Sequence, residues 1–134
     1  MNGDAPDHIE EVATNVIGAA LEVHRRLGPG FQEKVYQNAM AVELDHRGLP
    51  FVEEHPVTVP YRGQTVGRSR VDLFVSDVLV VELKAISAIA PVHTAQVISY
   101  LKATRQPLGL LFNFKRNKLK GGGIRRVIRA NPDD

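Results

Sequence analysis

Val71-Asp72-Leu73-Phe74-Val75-Ser76-Asp77-Val78-Leu79-Val80-Val81-Glu82-Leu83-Lys84 holds two apolar runs on either side of a Ser-Asp turn. Val78 to Val81 is the unbroken apolar run of a buried central strand, and the residues before Ser76 read as its hairpin partner. Side chains alternate along a strand, so Glu82 and Lys84 share one face while Val81 and Leu83 share the other. With the turn at Ser76-Asp77, residues whose numbers sum to about 153 or 154 stand opposite one another, which sets Asp72 against Val81 or against Glu82. The second register brings two carboxylates side by side. Such a pair repels unless a proton or cation lies between its members, and an oxygen-only pair suits Mg²⁺ or Mn²⁺. Lys84, next on that face, is placed to neutralise charge developing on a phosphate. A Glu-x-Lys alone is more often an ordinary surface contact, so the pattern needs support from elsewhere in the chain.

Working outward, Phe51 to Tyr61 reads as a strand broken by Pro56 and Pro60, which suits a sheet edge. Arg62-Gly63-Gln64 is a turn, and Thr65 to Val75 the next strand. Short adjacent strands form an antiparallel meander, because parallel neighbours need a long crossover. Pro91 to Ala103 reads as that crossover, a helix with proline in its first turn, leading to a buried strand at Leu108 to Phe112. Gly121-Gly122-Gly123 is expected to be a flexible loop before a last strand, Ile124 to Ile128. Upstream, Val12, Val16, Ala20, Val23 and Leu27 fall on one face of a helix with Asp7 as N-cap, which stops at Gly28-Pro29-Gly30. A second helix runs from Gln32 to Arg47, with Val35, Ala39 and Val42 facing inward and Gly48 as its stop.

The 134 residues, 43% hydrophobic and 24% charged, suit one domain over 1–134, with 1–7 a disordered N-terminus and 130–134 a tail. No apolar run is long enough for a membrane span and the N-terminus is acidic, so a cytoplasmic protein with no membrane partner is expected. The absence of cysteine excludes disulfides, thiolate metal sites and thiol nucleophiles. P-loop, dinucleotide-binding and serine-hydrolase motifs are missing as well. The net charge is only +2, but Lys115, Arg116, Lys118, Lys120, Arg125, Arg126 and Arg129 fall in one acid-free stretch. That stretch is either a phosphate-binding surface or an ordinary solvated face. His8, His24, His46 and His55 show no ligand spacing and read as surface residues.

Asp72, followed ten residues later by Glu82-Leu83-Lys84, resembles the bipartite signature of the PD-(D/E)XK nuclease superfamily. Gly30-Phe31-Gln32-Glu33-Lys34-Val35-Tyr36 reads G-x-x-E-x-x-Y, similar to the motif that names the GxxExxY family within it. Gln96-Val97-Ile98-Ser99-Tyr100 reads Q-x-x-x-Y, resembling the helix motif of RecB-like nucleases. The resemblance runs from about Val16 to Val127. It departs in one place, with Val71 where the superfamily name implies proline.

The resemblance implies an α/β restriction-endonuclease-like core, a mixed β-sheet of antiparallel meander plus crossover strand, flanked by helices. It implies a divalent-metal-dependent nuclease that hydrolyses phosphodiesters, on DNA with RNA open, by metal-activated water. Its catalytic residues would be Glu33, Asp72, Glu82, Lys84, Gln96 and Tyr100. Its Mg²⁺ or Mn²⁺ ligands would be Asp72, Glu82, the Leu83 carbonyl and Glu33. Tyr36 shares the Glu33 helix face, and His93 lies along the Gln96 and Tyr100 side of the later helix. Both also have bland readings, as core tyrosine and as neighbour. Lys115, Arg116, Lys118, Arg125 and Arg126 would hold the nucleic acid. The alternative is a weak or inactive nuclease-fold module that binds nucleic acid or a protein. So small a chain has little surface to grip a duplex, which favours a homodimer.

Overall fold

The run from Val78 to Val81 becomes β3 (Leu79–Lys84), the middle strand of a five-stranded sheet ordered β1-β2-β3-β4-β5. β1 (Phe51–Tyr61) is an edge strand, as its prolines require, and pairs antiparallel with β2 (Gln64–Val75). β2 turns through Ser76 and Asp77, both at positive φ (53° and 57°), into β3. That backbone matches the twist of a tight hairpin. α3 (Pro91–Thr104) then carries the chain across the sheet to β4 (Leu108–Asn113), parallel to β3, and β5 (Ile124–Ile128) closes antiparallel to β4. The structure is a computed structural model and describes residues 5–129.

α1 (Asp7–Leu27) and α2 (Glu33–His46) cover one sheet face, where Leu73, Val81, Leu83, Leu110 and Phe112 join Val16, Ala20, Met40 and Leu44. α3 covers the other, where Val97, Tyr100 and Leu101 meet Val71, Phe74, Val80 and Leu111. The sheet is therefore buried on both sides at β3 and β4, which is why those strands are continuous apolar runs rather than alternating ones.

Several expectations are corrected. α2 buries Tyr36, Gln37, Met40 and Leu44, whereas Val35 and Val42 are exposed. Both stripes have helical spacing, and the one with the larger side chains removes more apolar area from water. Asp7 is the first residue of α1 rather than its cap, and Ala5 packs on the core, so the disorder expected over 1–7 does not reach 5–7. The rest of that segment and the tail at 130–134 lie outside the described residues. His24 is buried rather than at the surface, with Nε2 donating to the Arg116 carbonyl at 2.8 Å. Of the three glycines, Gly121 and Gly122 are exposed and Gly123 is packed: Gly123 N–H donates to Leu119 O, its carbonyl accepts from Asn113 N–H, and a Cβ there would lie 2.9 Å from Asn113 O.

Candidate active site

The β2–β3 pairing runs Val75↔Leu79, Phe74↔Val80, Leu73↔Val81, every pair summing to 154, so the even register is the one adopted. The ladder stops there. At the next rung side chains replace the backbone: Asp72 N–H donates to Glu82 Oε1 at 2.9 Å, and Leu83 N–H donates to Asp72 Oδ2 at 2.8 Å. Each carboxylate is thus locked to the opposite strand through one oxygen. Among the described residues Asp72 Oδ1 and Glu82 Oε2 take no hydrogen bond and form the available donor pair.

Both carboxyls are shifted upward from their ordinary values. Burial pushes the Glu82 carboxyl up to about 8, and the Asp72 charge adds to the effect. Asp72 is raised too, first by burial, against the opposing Leu83 N–H, with the charges of Glu33 and Glu54 adding. Lys84, half-buried at the end of β3, favours both charged forms. Two adjacent buried carboxyls, each raising the other's cost of ionising, with a lysine beside them, are the chemistry that a small hard cation relieves, and Mg²⁺ binds through one or two carboxylates with water completing its shell. The donor set therefore fits. Among the described residues, however, no three Asp, Glu, His or Cys side chains are arranged to hold a metal. Glu33, exposed at the first turn of α2, is felt by the pair as charge and is not brought in with them as a third ligand.

The other expected residues divide. Tyr100 is 5% exposed, accepts from Gln96 Nε2 at 2.9 Å and shares a 2.8 Å hydrogen bond with Ser69 Oγ on β2. Burial raises its hydroxyl above the usual range, and the charges of Glu82 and Asp72 contribute, so Tyr100 lies within the field of the acid pair. Tyr36 is fully buried: its hydroxyl donates to Gly28 O at 2.6 Å and accepts from Phe31 N–H, and its ring stacks 4.5 Å from Phe114. These contacts tie the turn before α2 to the core. His93 Nδ1 accepts from Ala90 N–H at 2.8 Å, which caps α3 rather than lining the site.

The basic stretch separates. Lys115, Arg116 and Lys118, with Ser87 and Asn117, line an open concavity of about 630 Å³. Buried Asn113, beside Lys84 in the β3–β4 register, ties this loop to the segment after Lys84: its Oδ1 accepts from Ile86 and Lys115 N–H, and its Nδ2 donates to Ile86 O. Arg126 instead pairs with Glu10 on α1 at 2.9 Å, and Arg125 points to the opposite sheet face. Sequence reasoning missed Ser69, Asn113 and Gln37, whose partners are 27 residues away or belong to other elements, beyond the reach of any spacing rule.

Residues 10–127 match the family model of the PD-(D/E)XK nuclease superfamily. The chain belongs to that superfamily, and its mixed, helix-flanked sheet is the restriction-endonuclease-like α/β fold. No curated protein and no solved structure shows significant similarity to it.

Proposed function

We propose that the protein is a divalent-metal-dependent nuclease of the GxxExxY group, acting on DNA. The observation that carries this reading is the pair Asp72 and Glu82, each spending one oxygen on the opposite strand and presenting the other, with Lys84 next on the face. A Mg²⁺ or Mn²⁺ ion held there would supply Lewis acidity toward a phosphate and make nearby water more acidic. The chain's own groups do the rest. Lys84 stabilises negative charge gathering on the phosphate. Tyr100, oriented by Gln96 and Ser69, sets the polar wall opposite. Glu33 adds field that keeps a cation favoured. Lys115, Arg116 and Lys118 grip the flanking backbone, in a concavity tied through Asn113 to the segment after Lys84.

No helix among the described residues is long and apolar enough to cross a bilayer. The test is cleavage of single- and double-stranded DNA and of RNA with Mg²⁺ or Mn²⁺. Wild type should cut DNA, while Asp72→Ala, Glu82→Ala and Lys84→Ala should not. Equal cleavage by the variants, or none by wild type, refutes the reading. Salt-sensitive DNA binding without cleavage would favour the binding-module alternative instead.

A further inference from the structure

The alternation of β2 breaks at Asp72. Val71 packs under α3 with Val97 and Tyr100, whereas Leu73, two residues on, packs under α1 and α2. Residues two apart in a regular strand share a face. The β1–β2 pairing breaks at the same level, running Glu53↔Leu73 and then His55↔Val71 with no Glu54–Asp72 rung. Glu54 sits at φ 51°, alone among the described strand residues in the left-handed region, which disfavours a side chain of this kind. Something must hold it there. Gln37, 5% exposed on α2, donates through Nε2 to Glu54 Oε1 at 3.1 Å and to Glu53 Oε1 at 3.4 Å.

We infer that the Gln37–Glu54 contact is a clamp that pins this kink and thereby positions Asp72 between β2 and β3. Without the kink Asp72 would pair regularly with its neighbours, and its carboxylate would have no reason to sit on the Leu83 N–H. Glu54 and Gln37 are positioning residues, acting through Asp72 and not on substrate. Their catalytic consequence rests on the nuclease reading; their structural consequence does not.

Amide exchange followed by NMR in the metal-free protein separates the two. Gln37→Leu removes the donor at similar volume, and Glu54→Gly removes the acceptor while tolerating positive φ, so neither need unfold the protein. In both, the Leu83 amide should exchange about tenfold faster or more, with other β3 amides unchanged. Glu54→Gln keeps the accepting Oε1 and should restore slow exchange. Mn²⁺ affinity, measured by calorimetry, should fall in the first two variants and be rescued in the third. Unchanged Leu83 exchange in Gln37→Leu and Glu54→Gly, or equal loss in Glu54→Gln, overturns the clamp. A wild type that cleaves no DNA refutes the nuclease reading and leaves the exchange result standing.

Discussion

Glu82→Gln should make the metal-free protein more stable in mild alkali while destroying its site. The Glu82 carboxyl is pushed up to about 8 in the fold, from an ordinary 4.5. The fold therefore binds the proton more tightly than the unfolded chain does. Stability from this group is complete below the unfolded pKa and is lost as pH rises from about 4.5 through about 8. At ~1.4 kcal/mol per pH unit, the loss is about 1 kcal/mol at pH 5 and about 4 kcal/mol at pH 8. Glutamine keeps the oxygen that accepts from Asp72 N–H and never ionises. Urea unfolding with chelator should show the variant and wild type close together at pH 5. Near pH 8 the variant should lead by several kcal/mol, less whatever Asp72 shares of the titration. Saturating Mn²⁺ should then stabilise wild type and not the variant, closing the gap. A wild-type stability flat between pH 5 and 8, or a variant no more stable near pH 8, would refute the claim that burial and Asp72 hold Glu82 protonated.

Lys84→Met should lower the single-turnover cleavage rate by about 10²-fold or more with little change in the half-saturating enzyme concentration, since its charge matters most when the phosphate charge builds. Lys115→Ala and Arg116→Ala should each weaken DNA binding and flatten its log–log salt dependence by about 0.7 to 0.9, one phosphate contact apiece. Arg126→Ala should instead cost stability through its Glu10 partner and leave that slope alone; fluorescence titration against salt compares the three. Tyr36→Phe removes the hydrogen bond to the half-buried Gly28 carbonyl and should cost about 0.5–1.5 kcal/mol in denaturant unfolding, while lowering Mn²⁺ affinity through the displaced Glu33 turn.

The fold was legible where one physical cause dominated. The run Val78 to Val81 read as a strand buried on both faces, which holds from Leu79 while Val78 stays in the turn, and Ser76-Asp77 placed the register to within one residue. The last unit, which decides whether Asp72 meets Val81 or Glu82, depends on turn backbone angles that Ser and Asp adopt only in context. α2 was readable as a helix but not in its orientation, because two apolar stripes competed and the choice belonged to the sheet beneath. Glu82 and Lys84 share a face by strand alternation, but singling them out with Asp72 took the family resemblance as well as the hairpin. Glu33 could not be placed: its helix position was visible, but whether it ligates or merely acts through its charge depends on how far α2 stands from β3. Arg126 shows the same limit, since nothing in the basic stretch reveals that Glu10, 116 residues earlier, has already claimed it.

Val71, where the superfamily name implies proline, is the residue that best explains why this version of the site is built as it is. Val71 is fully buried against Val97 and Tyr100 and pairs with His55 across β1. A proline there would remove a backbone donor and the apolar side chain that seats α3. Seating α3 matters to the proposed chemistry, because α3 carries Gln96 and Tyr100. The kink at Asp72 lets the chain serve both needs: Val71 turns toward α3 and Leu73 toward α2, and the residue between them is freed from the ladder to present a carboxylate. The strand is thus interrupted at the one position where an unpaired backbone N–H is answered by the other acid, Glu82, rather than by a neighbouring strand. Substituting Val71 by proline should accordingly hurt in two measurable ways, a lower unfolding midpoint and a Tyr100 environment opened to solvent, even though no metal donor has been touched.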